Sequence, residues 1–158
     1  MEHDILLDID GVMITAVTWR PVSLQGTEFY PFSPTAQQWL NWLLEQSNAR
    51  IILTSIHRSR FDNETWLALF KARCPNVTSV QTMDDYLPES RSRSRLQELT
   101  MWVQEHSEGR SYVIIDDDTS LVSLPAAAKP RWVRTMPIMG LDSNGAHKAL
   151  EILQADAR

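Results

Sequence analysis

The run Ile5-Leu6-Leu7-Asp8-Ile9-Asp10-Gly11 constrains the fold more than any other stretch of the chain. Three apolar residues in succession, with no polar alternation, describe a buried strand of the kind found in a parallel sheet covered by helices. Asp8 and Asp10 follow where that strand stops, and Gly11 lets the backbone turn sharply. Strand side chains alternate faces, so positions 8 and 10 point the same way wherever the extended conformation persists. Two carboxylates converging at the carboxyl end of a buried strand repel each other unless a cation or a shared proton intervenes. Asp and Gly are also common turn residues, so the rest of the chain has to decide between a turn and a site.

Further along, strand and helix patterns alternate. Ser33-Pro34 reads as an N-cap with proline in the first turn. Ala36, Trp39, Leu40, Leu43 and Leu44 then follow at amphipathic helical spacing. Ile51-Ile52-Leu53 is a second buried strand, ending in Thr54-Ser55. Trp66, Leu67 and Phe70 mark a helix stopped before Pro75, and Val77 to Val80 a third strand. A helix from about Ser92 to His106 precedes Tyr112-Val113-Ile114-Ile115, a strand that ends in Asp116-Asp117-Asp118. Trp132-Val133 is a fifth, short strand, and Ala146, Leu150 and Leu153 belong to a closing helix. This order predicts an α/β fold: a three-layer α/β/α Rossmann-like sandwich around a mainly parallel five-stranded sheet. The length, 158 residues, suits a single domain spanning 1–158.

Composition narrows the function classes. Hydrophobic residues make up 43% and charged residues 22%, which argues for a globular core. No apolar run approaches the roughly 18 residues of a membrane span, and the amino terminus lacks the basic start of a signal peptide. The single cysteine, Cys74, excludes an internal disulfide and a cysteine-based zinc site. A cytoplasmic protein without a membrane partner is the expectation. A net charge of −5 argues against a protein-wide field for nucleic acid but leaves room for a local basic patch.

Polar groups of related kinds close three strands: Asp8 and Asp10, then Thr54, then Asp116 and Asp117. In an open parallel sheet the carboxyl ends of the strands line one crevice where ligands bind. Acidic groups there call for a hard cation, and Mg2+ suits them because it takes oxygen ligands and keeps several waters. A phosphate beside the metal needs donors, which Thr54 and the arginine row Arg91, Arg93 and Arg95 offer.

With these residues in order, the chain resembles a small member of the haloacid dehalogenase (HAD) superfamily of phosphotransferases. That superfamily has an apolar strand ending in D-x-D-G, matched by Leu6 to Gly11; a strand ending in Thr or Ser, matched by Ile51 to Thr54; a Lys or Arg near the start of a later helix; and a strand ending in paired acids, matched by Val113 to Asp117. The segments Val133-Arg134-Thr135, Gly140-Leu141-Asp142 and Lys148-Ala149-Leu150 are also similar to small phage and bacterial members. The resemblance implies a Mg2+-dependent phosphomonoester hydrolase. Asp8 would be the nucleophile that forms an aspartyl-phosphate, and Asp10 the acid toward the leaving group and then the base for water. Thr54, with Ser55 beside it, would bind the phosphoryl group. Metal ligands would come from Asp8, Asp10 (partly through its carbonyl), Asp117 and Asp116, while Asp118 would cap the residues after it. The chain has no lysine between Lys71 and Lys129. Arg95 fits the third position best because it immediately precedes the apolar period of its helix, with Arg93 and Arg91 as alternatives.

Larger members carry a cap domain between these motifs. Here the gaps are short and largely filled by elements of the sheet, so no sizeable cap is expected. The segment 12–32, with Trp19, Arg20, Phe29 and Tyr30, would form a flap at the mouth. An open crevice suits a macromolecular phosphate, such as a nucleic-acid end or a phosphoprotein, or a small phosphate covered by another subunit of an oligomer. His57 and Arg58 are either surface residues of a turn or groups that reach the substrate. The missing lysine keeps a second reading open, a catalytically weak or inactive HAD-like binding or regulatory module.

Overall fold

The computed structural model describes residues 1–17, 24–87 and 93–156. Strand β1 (Glu2–Leu7) lies at the centre of a five-stranded sheet. It is flanked by β2 (Arg50–Leu53) and β4 (Arg110–Asp116); β3 (Val80–Thr82) lies outside β2, and β5 (Trp132–Arg134) outside β4. Every pairing is parallel. The expected α/β/α sandwich with a five-stranded sheet is therefore what the chain forms.

Strand parity sorts the side chains into two cores. Ile5, Leu7, Ile51, Leu53, Val113 and Ile115 face helices α1 (Pro34–Ser47), α2 (Asn63–Arg73) and α4 (Ser143–Ala155). Leu6, Ile52, Tyr112 and Ile114 face α3 (Arg95–His106), the helix of the crossover from β3 to β4. Trp66 seals the first core and Trp102 the second, both fully buried. Trp39, Trp42 and Trp132 are partly buried, and Trp19 lies outside the described residues. No described helix is long and apolar enough to cross a membrane.

Helix boundaries follow their caps. Ser33 Oγ accepts the Ala36 N–H with Pro34 in the first turn, and α1 ends at Asn48 in the left-handed region, φ 50°. Helix α3 starts later than about Ser92. Ser94 caps it and forms a reciprocal box with Gln97, so Arg95 is its first residue. The third strand forms at Val80–Thr82, after the expected 77–80 stretch, because its ladder to β2 opens with Ile51 opposite Val80.

The amino-terminal end of the sheet holds a fully buried carboxylate, Asp4. Arg50 Nε donates to it at 2.6 Å and Arg110 Nη2 at 2.7 Å, and Arg110 Nε donates as well. Asp4→Ala leaves two arginines facing an empty position, and breaking such a pair costs about 3 kcal/mol. Its urea midpoint should fall with no change in slope, while activity per folded molecule stays at the wild-type level because Asp4 is at the far end of β1 from the acidic crevice. A midpoint within error of wild type would refute this.

Candidate active site

Register alone assembles the centre of the crevice. Leu7 pairs with Leu53 on one side and with Ile115 on the other, so the next residues, Asp8, Thr54 and Asp116, stand side by side. The ladder continues through them: the Asp8 N–H donates to the Ile115 carbonyl at 3.1 Å and the Thr54 N–H to the Leu7 carbonyl at 3.0 Å. All three also share the parity of Leu6, Ile52 and Ile114, so they face the side covered by α3.

That side supplies the cation. Arg95, only 12% exposed, places Nη1 2.5 Å from Asp116 Oδ2, 3.3 Å from Asp8 Oδ1 and 3.5 Å from Thr54 Oγ1. A positive charge at a helix amino end opposes the macrodipole, and the two carboxylates offset that cost. Burial alone works against the guanidinium charge, but Asp8 and Asp116 hold it firmly protonated. Arg93 lines a groove with Leu96, Thr100 and Pro125, and Arg91 lies outside the described residues. Among the described residues, Arg95 is an arginine that the structure brings to the acidic strand ends.

Asp8, Asp116 and Asp117 each bring a carboxylate oxygen to within 4.8 Å of the others. Asp8 and Asp116 are buried and Asp117 half-buried. Burial first, and the Asp116 charge next, push Asp8 up to about 8, against the opposing pull of Arg95 and of the Ile9 N–H. Asp117 is raised by the same two causes. An all-oxygen donor set, crowded and short of positive charge, fits a hard divalent cation.

Asp10 departs from the expected convergence with Asp8. Past Asp8 the chain does not stay extended: the Ile9 carbonyl accepts the N–H groups of Val12, Met13 and Ile14 in a tight loop. The Asp10 side chain is half exposed, and His57 Nε2 contacts it at 3.0 and 3.2 Å. It takes no place in the acidic group of three. Ser55 likewise does not join the crevice donors. Fully buried, it caps the 3-10 turn Ile56–Arg60 by accepting the His57 N–H at 3.1 Å. Asp118 caps the turn Thr119–Ser123 through the Ser120 N–H.

Two supports come from outside the four strand and helix motifs, the second of them from the tail segments around Thr135 and Leu141. Arg58 donates to the Thr54 carbonyl at 3.3 Å and forks onto Glu98 at 2.6 and 3.0 Å. It thereby ties the loop after β2 to the helix that starts with Arg95. Thr135 donates to the Gly11 carbonyl at 2.8 Å, and the Leu141 N–H to the Val12 carbonyl at 2.9 Å, so the tail braces the loop after β1. Sequence spacing carries no signal for the Arg58–Glu98 pair, which joins separate elements.

The sequence profile described as the HAD domain in Swiss Army Knife RNA repair proteins matches residues 5–146. The chain belongs to this family. No curated protein and no solved structure gives a significant match. The matched span runs from β1 into α4 and takes in every strand-end residue of the crevice, so the HAD resemblance of the four motifs and the family assignment agree.

Gly11 has φ 79°, and a Cβ there would lie 2.1 Å from Asp117 Oδ2. Gly11→Ala is therefore expected to displace the Asp117 carboxylate and destabilise the fold by about 1–3 kcal/mol; a urea midpoint within error of wild type would refute it. A second expectation concerns pH. In metal-free protein the folded state takes up a proton at Asp8 between its ordinary 3.8 and about 8. Folding stability from this group therefore falls as pH rises through that interval. Saturating Mg2+ should replace the proton and remove that part of the slope. Urea midpoints between pH 5 and 8.5 with identical slopes in the two conditions would contradict this.

Proposed function

We propose that this chain is a Mg2+-dependent phosphohydrolase that removes a terminal phosphate from an RNA end through phospho-Asp8. The observation that carries the reading is the register-fixed set of Asp8, Thr54 and Asp116 at adjacent strand ends, with Arg95 over them. Membership in a family named for RNA repair proteins supports the substrate class, and the half-exposed Asp10 beside the loop supports an uncapped mouth that admits a polymer end. We read the chain as one HAD-like unit without a sizeable cap, in which the described part of the 12–32 segment, at Phe29 and Tyr30, serves as a flap; Trp19 and Arg20 lie outside the described residues. The single buried Cys74 fits a reducing compartment such as the cytoplasm.

Asp8, Asp116 and Asp117 would hold the metal, which supplies charge neutralisation between the nucleophile and a dianionic phosphate when bound. An Asp8 oxygen bonds to phosphorus as the bond to the leaving oxygen breaks, and the Asp10 carboxyl gives its proton to that oxygen. The Asp10 carboxylate then takes a proton from water as the water oxygen bonds to phosphorus and the Asp8–phosphorus bond breaks. Thr54 Oγ1 and the Arg95 N–H groups would bind the phosphoryl oxygens, where charge develops. Arg95 replaces a point charge with a fork that can serve a carboxylate and a phosphate together.

Asp8→Asn should abolish release of phosphate from a 3′- or 5′-phosphorylated RNA oligonucleotide, as should excess chelator. Turnover that survives either change would sink the reading, and folded protein with no Asp8-dependent turnover on any phosphomonoester would favour the inactive module. Arg95→Ala should lower kcat/KM by about 100-fold or more, the range for losing one preorganised donor, and Arg95→Lys should recover part of it. An Arg95→Ala enzyme within threefold of wild type would remove Arg95 from the phosphate site.

A further inference from the structure

Outside the acidic group, His57 makes a two-point contact with Asp10. Its Nε2 spans both Asp10 oxygens at 3.0 and 3.2 Å, the arrangement of a ring N–H donating into a carboxylate. The imidazole is itself held from several directions. Its backbone N–H is capped by Ser55. Its ring meets Phe29 edge-on, with centroids 5.3 Å apart at 82°, and lies 6.0 Å from Tyr30. Those two residues are clamped in turn by Arg73 of α2, which donates to the Tyr30 carbonyl at 2.6 Å and the Phe29 carbonyl at 3.2 Å while its guanidinium stacks 4.4 Å from the Phe32 ring. The loop after β2 and the segment before α1 thus meet at one side chain, and that side chain grips Asp10.

A half-exposed aspartate left alone samples several rotamers, and fixing it for proton transfer costs conformational entropy each turnover. We propose that His57 is the positioning residue of Asp10, aiming its carboxyl at the leaving group, and that Phe29 and Tyr30 form the wall that fixes His57. This rests on the proposed phosphohydrolase function, in which Asp10 exchanges the proton. His57 need not touch the substrate or the metal for this role. Its effect should appear only where the leaving oxygen needs a proton.

Leaving-group dependence of kcat/KM, which reports phosphoryl transfer to Asp8, tests the role in the full chain with saturating Mg2+. A nitrophenolate departs unprotonated, whereas the ribose oxygen of an RNA terminal phosphate requires an acid. His57→Ala should lower kcat/KM on the RNA oligonucleotide by about 10- to 100-fold, and on nitrophenyl phosphate by at least tenfold less. His57→Gln, which keeps an N–H donor, should restore most of the loss. In an Asp10→Asn background His57→Ala should cost nothing further on the RNA substrate. Equal losses on both substrates, no loss on either, or full additivity with Asp10→Asn would overturn the proposal while Asp8-dependent turnover left the phosphohydrolase reading standing. Turnover that persists in Asp8→Asn would overturn both.

Discussion

Asp8 and Asp116 are buried next to each other because β1 and β4 pair with Leu7 opposite Ile115, and the rest of the crevice depends on that adjacency. Two carboxylates at neighbouring strand ends, both beneath the surface, cannot both ionise there without compensating charge. Arg95 supplies one positive group, and its position is itself a product of the fold. The crossover from β3 to β4 must pass over the sheet on the face that Asp8, Thr54 and Asp116 share, so the first turn of α3 arrives above them. The cation beside Asp8 and Asp116 is therefore delivered by topology. The arginine found there brings one nitrogen, Nη1, to both Asp116 and Asp8.

The two ends of β1 handle buried acid in opposite ways. Asp4 at the amino end is held by both Arg50 and Arg110, with Glu2 also on Arg110, so its charge is answered by the protein. At the carboxyl end, three carboxylates face one guanidinium among the described residues. The first arrangement is closed and needs nothing further. The second is short of positive charge, and Asp8 responds by holding its proton up to about 8. A site that the protein leaves electrostatically incomplete at the ligand-binding edge of a parallel sheet is poised for a cation and for chemistry.

Much of this was legible in the sequence, for a physical reason. Buried parallel strands are short continuous apolar runs, so Ile5–Leu7, Ile51–Leu53 and Tyr112–Ile115 were visible as strands, and the polar residue after each run was a strand end. Parallel pairing then aligns those ends whatever the loops do. Loops carry no such rule. The side-chain direction of Asp10 depended on three N–H groups converging on one carbonyl of Ile9, which no period encodes. Ser55 looked like a second hydroxyl at a strand end, but the 3-10 turn after it took the side chain as a cap. The pairing of Arg58 with Glu98, and of His57 with Asp10, joins residues 40 and 47 positions apart, beyond any local pattern.

The crevice therefore has two halves of different physical character. The half that would hold the phosphoryl group and metal is fixed by ladder hydrogen bonds and strand parity, so small changes elsewhere move it little. The half that would meet the leaving group is built from loops: Asp10, His57, and the segment at Phe29 and Tyr30 that Arg73 clamps to α2. Specificity on a rigid scaffold is carried by such loops, and here they connect to the reacting centre through the Asp10 carboxylate. In the proposed reaction, changes at the aromatic segment would then alter which leaving groups are protonated well without disturbing how phosphate is bound. Under the proposed function, a nucleophile set by the sheet and an acid set by loops would let one fold retain phosphoryl transfer while its substrate range varies.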